Sequence, residues 1–279
     1  MTEILIAIAV LGGLGLIFGL VLALAAKAFY VEEDPRLEQL CEALPGANCG
    51  GCGYPGCSGY AQAVLEGKAP IGSCASGGST SAAKMAAVMG VEAVKVERQV
   101  AMVRCCGNKF TDSHGQPRGA KLKGYYEGLT DCLAATKVAG HGPIACKFGC
   151  LGLGSCVKAC QYDAIHIEHG VAKVDESKCV GCMSCAKACP RNLIIPVQPQ
   201  RNVIIACASL AKGAVTTRSC TVGCIGCGKC KKICPRGAIS IENHLAVIDY
   251  SKCDNCGLCA TVCPKNLIQD SNVEHLPEL

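Results

Sequence analysis

Two stretches near the C-terminus decide the fold: CIGCGKCKKICP at residues 224–235 and CDNCGLCATVCP at residues 253–264. Each follows the spacing Cys-x2-Cys-x2-Cys-x3-Cys-Pro. A cubane iron–sulfur cluster needs four thiolates, and in paired runs of this spacing the fourth Cys of each run binds the cluster of the other run. The two predicted ligand sets are Cys224, Cys227, Cys230 and Cys263 for one cluster, and Cys234, Cys253, Cys256 and Cys259 for the other.

The same pattern occurs earlier in the chain, displaced by 74 residues without a gap. Eight cysteines of the earlier copy align with eight of the later one: Cys146, Cys150, Cys156, Cys160, Cys179, Cys182, Cys185 and Cys189 with Cys220, Cys224, Cys230, Cys234, Cys253, Cys256, Cys259 and Cys263. The sequence between them aligns too, since Ala164–Ile167 corresponds to Ala238–Ile241. An internal repeat of this kind indicates two copies of one ferredoxin-like, two-cluster module.

The earlier copy departs from the later one at one ligand position. Leu153 stands where the later copy has Cys227, so one corner of a cluster lacks its thiolate. Cys146 lies four residues before Cys150 and is the predicted substitute, with a three-iron cluster as the competing interpretation. The predicted sets are Cys146, Cys150, Cys156 and Cys189 for one cluster, and Cys160, Cys179, Cys182 and Cys185 for the other.

A separate cysteine motif lies closer to the N-terminus, in NCGGCGYPGC at residues 48–57. Its predicted ligands are Cys49, Cys52, Cys57 and Cys74. Glycines between the cysteines allow backbone N–H groups to turn toward cluster sulfurs. This favours an iron–sulfur cluster over the alternatives, which are two disulfides or a zinc site. Short amphipathic helices are predicted on either side, at residues 36–44 and 60–66.

These five sets use twenty of the 26 cysteines. The six left over are Cys41, Cys105, Cys106, Cys132, Cys207 and Cys220. A sixth cluster or a redox pair in the region of Cys105, Cys106 and Cys132 is one hypothesis, but spacing does not name four convergent ligands. Buried reduced thiols are therefore the preferred interpretation.

The composition fits a protein folded around inorganic cofactors. The 279 residues include 33 Gly, no Trp and only 4% aromatic residues, so large aromatic anchors do not form the core. The formal charge of 27 − 22 = +5 does not indicate a nucleic-acid partner, because the basic residues are scattered and bound clusters of about −2 each would reverse the sign. The chain has no Walker A motif and no dinucleotide fingerprint after a strand, so it is not expected to bind NAD or flavin itself.

The N-terminal segment predicts a membrane anchor. Ile4–Ala26 is a run of 23 residues without a charge, and about 20 apolar residues cross a bilayer as a helix. The alternative, a cleaved signal peptide, would begin with basic residues and have a shorter apolar core. Lys27 and Arg36 follow the segment and no Lys or Arg precedes it, which predicts a single pass with the bulk of the chain in the cytoplasm.

Together these features predict an α+β protein with one N-terminal transmembrane helix, a small four-iron cluster domain and two tandem ferredoxin-like two-cluster modules. The expected divisions are an anchor at 1–30, a [4Fe–4S] domain at 31–100, a connecting segment at 101–145, modules at 146–200 and 201–270, and a tail at 271–279. A helix followed by a strand is expected in 79–104 and a surface loop at 108–124. Hairpins are expected at 164–174 and 239–248, and the tail of each Cys run is expected to enter a short helix.

The anchor, the motif of Cys49, Cys52, Cys57 and Cys74, and the later Cys runs together resemble the B subunit of the Rnf complex, over essentially the whole chain. The doubled ferredoxin copy extends beyond the shortest members of that family. The resemblance implies a prokaryotic inner-membrane complex that couples ferredoxin oxidation and NAD reduction to Na⁺ or H⁺ translocation. This chain would hold five [4Fe–4S] clusters and no complete active site. It would take electrons from reduced ferredoxin and pass them to flavin- and NAD-binding subunits.

Two other functions stay open at this point. One is a relay subunit of a different membrane oxidoreductase, such as a hydrogenase, and the other is a metal-binding redox sensor. Basic residues beside the Cys runs are candidates for steering an acidic ferredoxin, although a solvated basic face explains them as well. They are Lys229, Lys231, Lys232 and Arg236 at one site, and Lys187 and Arg191 at another.

Overall fold

The computed structural model describes residues 2–28, 34–107, 110–111, 117–199, 201 and 203–270. Its helices are α1 (Thr2–Ala28), α2 (Pro35–Glu42), α3 (Cys57–Leu65), α4 (Gly78–Met89), α5 (Cys132–Lys137), α6 (Ser155–Lys158), α7 (Ser184–Lys187), α8 (Gly213–Ser219), α9 (Lys229–Ile233) and α10 (Leu258–Thr261). Its strands are β1 (Val100–Val103), β2 (Phe110–Thr111), β3 (Pro117–Arg118), β4 (Ile165–Glu168), β5 (Val171–Val174), β6 (Ile194–Val197), β7 (Val203–Ile205), β8 (Ile239–Glu242), β9 (Leu245–Ile248) and β10 (Ile268–Asp270). Short helices and two-stranded antiparallel sheets confirm the α+β class.

Helix α1 covers the apolar N-terminal segment, and large apolar side chains along it are exposed, among them Leu11, Leu16 and Leu22. Across the residues that the structure describes, no helix is long and apolar enough to cross a membrane. The predicted transmembrane helix is therefore not confirmed and stays a prediction. Residues 29–33 after it lie outside the described residues, as do the tail at 271–279 and part of the loop at 108–124.

Helices α2, α3 and α4 pack together after α1. Their buried side chains include Leu40, Tyr60 and Met85, which share one apolar core. Asp34 caps α2, because its side chain accepts the Arg36 backbone N–H at 2.9 Å. The domain therefore has a small apolar core of its own beside its cysteine loop.

The two ferredoxin-like modules are built from pairs of antiparallel strands. In the first, β4 pairs with β5 and β1 pairs with β6. In the second, β8 pairs with β9 and β7 pairs with β10. Both predicted hairpins are present, and α6, α7, α9 and α10 are the short helices expected in the Cys runs. Because β1 pairs with β6, the strand at Val100–Val103 belongs to the first module, and the stretch that follows it is an insertion.

The 74-residue repeat extends to the backbone conformation. Residues with positive φ occur in register at Gly152 and Gly226, Gly154 and Gly228, Asp163 and Gly237, His169 and Asn243, Gly170 and His244, Gly181 and Asn255, Met183 and Gly257, and Asn192 and Asn266. A Cβ on Gly152 would collide with the carbonyl oxygen of Gly170, and one on Gly226 would lie 2.8 Å from the His244 oxygen. Glycine is needed there because each hairpin turn passes directly over a cysteine loop.

Candidate iron–sulfur sites

The first candidate site lies in the loop before α3. The predicted ligands Cys49, Cys52, Cys57 and Cys74 line one cavity, with an unfilled volume of about 350 Å³. The Asn48 carboxamide oxygen accepts the backbone N–H of Cys57 at 2.7 Å, which fixes the start of α3 against the loop. A Cβ on Gly77 would lie 3.3 Å from the Cys74 sulfur. The loops on either side of α3 therefore bring all four predicted thiols to one place, and they stand there as free thiols.

The second module brings its predicted ligands together in two sets. Cys234, Cys253, Cys256 and Cys259 line a cavity with an unfilled volume of about 320 Å³. In the other set, burial is the main cause that raises the pKa of the Cys230 thiol, and the nearby Cys224, Cys263 and Cys227 thiols raise it further. Cys227 and Cys256 are exposed, so one member of each set reaches the surface.

The first module brings together one of the predicted sets, Cys160, Cys179, Cys182 and Cys185. Burial raises the pKa of Cys185 to about 12, and the other three thiols contribute as neighbours. The Cys179 sulfur accepts the backbone N–H of Ala101 at 3.3 Å, and the Cys160 sulfur accepts that of Ala164 at 3.5 Å. Backbone N–H groups directed at ligand sulfurs are among the contacts that tune cluster potentials.

The other set of the first module differs from the prediction. Cys150, Cys156 and Cys189 share a cavity of about 360 Å³ unfilled volume with Cys132, not with Cys146. Burial raises the pKa of Cys156 to about 12, and its thiol neighbours include Cys150, Cys132 and Cys189. Cys146 lines a different cavity. The structure therefore does not bring the predicted ligand Cys146 to this site, and Cys132 takes the fourth place.

A network of hydrogen bonds holds Cys132 in that place. Its backbone N–H donates to the Ser155 hydroxyl oxygen at 2.6 Å, and that hydroxyl donates to Asp131 at 2.8 Å. Asp131 also caps α5, because its carboxylate accepts the Ala134 N–H. These bonds lower the pKa of the Asp131 carboxyl, the Ala134 N–H most strongly. The insertion thus supplies a thiol to the corner that Leu153 leaves without one.

The cysteine sets suit a four-iron cluster in their chemistry and their spacing. Within the part of the chain that the structure describes, no group of three or more Cys, His, Asp or Glu side chains is placed to hold a single metal ion. A cubane contains four irons, each with its own thiolate, so its ligands surround a cavity instead of meeting at a point. The cavities above have that form, with four thiols in the wall of each.

Three protein-family models match these regions. Residues 44–76 match the family described as "Putative Fe-S cluster", residues 172–195 match the 4Fe-4S binding domain, and residues 223–267 match the 4Fe-4S dicluster domain. The matched segments contain the first cysteine loop, the second run of the first module and both runs of the second module. They support iron–sulfur chemistry at these sites.

Similar proteins from three organisms cover most of this chain. The B subunit of the Na⁺-translocating ferredoxin:NAD⁺ oxidoreductase complex of Acetobacterium woodii is 44% identical over 91% of this chain and 74% of its own length. The B subunit of an ion-translocating oxidoreductase complex of Methanosarcina acetivorans is 39% identical, over 91% and 93%. The B subunit of the proton-translocating ferredoxin:NAD⁺ oxidoreductase complex of Clostridium ljungdahlii is 41% identical, over 91% and 87%. The chain belongs to this family of B subunits.

This membership confirms the resemblance to the B subunit of the Rnf complex. In such a subunit, a contact between the first domain and the first module bears on electron transfer between their clusters. The loop of the first site touches the first module: Ser184 donates a hydrogen bond to the Cys49 carbonyl oxygen at 3.3 Å, and Lys187 donates to that of Gly50 at 2.7 Å. A Cβ on Gly51 would lie 2.6 Å from the carbonyl oxygen of Cys182. A loop that carries predicted ligands of one cluster thus packs against a loop that carries ligands of the next.

The basic residues near the cysteine sets fall into two groups. Lys187 is bonded to Gly50, and the half-buried Arg191 donates to the carbonyl oxygens of Cys146, Gly149 and His141 at 2.6–2.8 Å. These two residues hold loops together, so the structure gives no support to a steering role for them. Lys229, Lys231 and Lys232 are exposed on α9. Arg236 is exposed too, but it pairs with Asp254 at 2.8 Å.

Sequence reasoning missed Cys132 as a neighbour of Cys150, Cys156 and Cys189. In the sequence, Cys132 lies far outside the run and outside the repeat register. The available signal was the missing ligand at Leu153, which indicated that a thiol must come from elsewhere. Cys146 was the nearer candidate along the chain, but only the folded structure of the insertion shows which thiol reaches the cavity of Cys150, Cys156 and Cys189.

Proposed function

We propose that this chain is the iron–sulfur subunit that carries electrons into an ion-translocating ferredoxin:NAD⁺ oxidoreductase complex, at the inner membrane of a prokaryote. Five [4Fe–4S] clusters at the five cysteine sets would supply one-electron transfer. The sets are Cys49, Cys52, Cys57 and Cys74; Cys132, Cys150, Cys156 and Cys189; Cys160, Cys179, Cys182 and Cys185; Cys224, Cys227, Cys230 and Cys263; and Cys234, Cys253, Cys256 and Cys259. Other membrane subunits and flavin- and NAD-binding subunits would complete the complex.

The observation that carries this proposal is the continuity of the cysteine sets through the structure. The loop of the first site packs against the Cys182 loop. Inside the first module, the Cys185 thiol is among the neighbours that raise the pKa of Cys156, so its two sets are adjacent. In the second module, the Cys230 thiol raises the pKa of Cys259 in the same way. Closely spaced one-electron carriers are what a relay requires, whereas a binding or sensing protein has no need of five.

The second module has the features expected where a soluble donor docks. Cys227 and Cys256 are exposed there, and the three lysines of α9 lie on the same helix beside the run. Clustered positive charge attracts an acidic partner and raises its rate of encounter. We therefore place the contact with reduced ferredoxin on this module, and the flavin-bearing partners toward the first domain.

Attachment to the membrane is assigned to α1. Its sequence has no charge from Ile4 to Ala26, and its apolar side chains have no partner to cover them within the described residues, with Leu16 77% exposed. An isolated apolar helix of this kind is costly in water and stable in lipid. Lys27, in the last turn of α1, favours a cytoplasmic position for the bulk of the chain.

The experiment that tests this function is an anaerobic electron titration of the complete purified chain with reduced ferredoxin. The proposal predicts that the coloured chain accepts several electrons per molecule, and that it returns them to an added oxidant. A metal-binding sensor without electron-transfer turnover would take up no electrons from ferredoxin. Isolation of the chain with hydrogenase subunits, in place of flavin-bearing NAD-reducing ones, would favour the relay of a different oxidoreductase.

A further inference from the structure

A fourth cavity lies where the two ferredoxin-like modules meet, and none of the five sites uses it. Its volume, about 360 Å³ with the space open to solvent included, is close to that of the cavities at the candidate sites. Five cysteines line it: Cys105, Cys106, Cys146, Cys207 and Cys220. These thiols come from four separate segments of the chain, so only the folded structure brings them together.

Four of these five cysteines form two pairs that are equivalent in the two modules. Cys146 and Cys220 are related by the 74-residue repeat. Cys105 and Cys207 each follow the first strand of their module by two residues, after β1 and β7. The Cys105 sulfur accepts the backbone N–H of Cys150 at 3.5 Å, and the Cys207 sulfur accepts that of Cys224 at 3.4 Å. Since Cys150 and Cys224 are themselves repeat partners, the cavity has an approximate twofold relation between the modules.

The backbone around the cavity repeats in the same way. A Cβ on Gly149 would lie 3.5 Å from the Cys146 sulfur, and one on Gly223, its repeat partner, would lie 3.6 Å from the Cys220 sulfur. Both thiols are buried, and burial raises the pKa of Cys220 to about 12. All four are free thiols. A group of thiols around a cavity is the arrangement that the other sites show.

We infer that Cys105, Cys146, Cys207 and Cys220 hold a sixth [4Fe–4S] cluster that joins the two modules. The site takes two thiolates from each module, so neither module can form it alone. Cys106 has no equivalent in the second module, where Ala208 takes its place, and it is a wall residue of the cavity rather than a ligand. This assignment also accounts for the position of Cys146, which faces away from the site predicted for it.

The location gives this site a definite place in the relay. Cys105 is hydrogen-bonded to a ligand residue of the first module, Cys150, and Cys207 to a ligand residue of the second, Cys224. A carrier here would pass one electron at a time between the two modules, being reduced as one neighbour is oxidised, with no atoms transferred. The inference extends the proposed function and does not carry it, because the five sites stand without this one.

The test is the iron and sulfide content of the complete chain, prepared without oxygen, with single alanine variants. Cys207→Ala and Cys220→Ala should each lose about four irons per chain, the content of one cluster. Cys106→Ala, a neighbouring cysteine in the same cavity, is the matched control and should keep its iron. Cys146→Ala should also lose about four, although spacing alone would have placed it elsewhere.

Unaltered iron in both Cys207→Ala and Cys220→Ala would overturn the site. Loss of iron in Cys106→Ala with none in Cys105→Ala would overturn the ligand assignment. If a variant fails to fold, the wild-type chain still decides, since six sites predict about 24 irons and five predict about 20. Electron uptake from ferredoxin by a chain with about 20 irons would refute this sixth site and leave the proposed function intact.

Discussion

A single ligand position shows how this fold tolerates a missing cysteine. Leu153 occupies the place of Cys227 in the other module, and Leu153 packs in a small apolar cluster with Ile144, Leu151 and Cys132. The insertion between β1 and Cys150 folds back so that Cys132 reaches the corner that Leu153 cannot serve. A ligand can thus move to a distant point of the sequence provided that the thiol arrives at the same corner of the cavity.

This arrangement predicts a rescue. Cys132→Ala should lower the iron content by at least about one iron, because one iron of the cluster loses its thiolate. Adding Leu153→Cys should restore it, since the repeat places that residue where Cys227 provides a ligand. Iron analysis and reduced-state EPR of the single and double variants measure this. Full iron content in Cys132→Ala, or no recovery in the double variant, would contradict the role of Cys132.

At the scale of elements, electron transfer between sites depends more on the contacts between cysteine-bearing loops than on the helices and strands that support those loops. The Gly50–Gly51 turn of the first domain lies against the Cys182 loop of the first module, and two side-chain hydrogen bonds hold it there. Gly51 does not have a positive φ, so a close neighbour and not backbone strain requires glycine at this position. The approach of the two loops sets the separation of the first site from the next.

Gly51→Ala tests that separation. The added Cβ would lie 2.6 Å from the Cys182 oxygen, so the loops must move apart, at a cost of about 1–3 kcal/mol for overpacking. Electron transfer between the first site and the module should slow while the iron content stays constant, as followed by freeze-quench EPR. Gly124→Ala is the control, because a Cβ there has no neighbour within 4 Å. Equal rates in the two variants would show that this contact does not limit transfer.

Helix α9 is the second element with a functional prediction. Replacing Lys229, Lys231 and Lys232 together by Gln should slow reduction by ferredoxin about tenfold at low salt and flatten its salt dependence, because steering by charge is lost. Stopped-flow reduction at several ionic strengths measures both effects. Lys84→Gln, an exposed lysine on α4, serves as the control. If the triple variant keeps the wild-type rate and salt dependence, ferredoxin docks elsewhere.

The spacing of cysteines predicts much of this structure and of its sites, because the ligands of a cluster must stand at fixed distances along the sequence to converge on it. The 74-residue repeat, the two hairpins and four of the five ligand sets follow from that spacing alone, and the structure brings those four sets together. The pairing of β1 with β6 and the arrival of Cys132 depend on long-range packing that leaves no local pattern. The cavity shared by Cys105, Cys146, Cys207 and Cys220 needs both modules in place, so spacing could not show it.

For the whole molecule, the cysteine sets form a connected path from the first domain to the end of the second module. The first domain touches the first module, and the two modules meet at the cavity lined by Cys146 and Cys220. The exposed thiols Cys227 and Cys256 and the α9 lysines all lie in the second module. The N-terminal helix precedes the first domain in the sequence, so the membrane attachment proposed for α1 would lie on the side of the first domain.

The anchor has its own prediction. When the chain is expressed without the other subunits of the complex, removal of residues 1–30 should move it from the membrane fraction to the soluble fraction. Its iron content should not change, because no cysteine lies in the removed segment. Fractionation and iron analysis of both forms measure this. A truncated chain that stays in the membrane fraction would show that α1 is not the anchor.

The cysteine sets determine what this chain does. Iron and acid-labile sulfide analysis of the complete chain under anaerobic conditions, with EPR of the reduced state, tests this claim most directly. The five sites predict about 20 irons per chain, and the site between the modules raises this to about 24, with matching sulfide and signals of interacting reduced clusters. Fewer than about 16 irons in an undamaged sample, or zinc in place of iron, would contradict it.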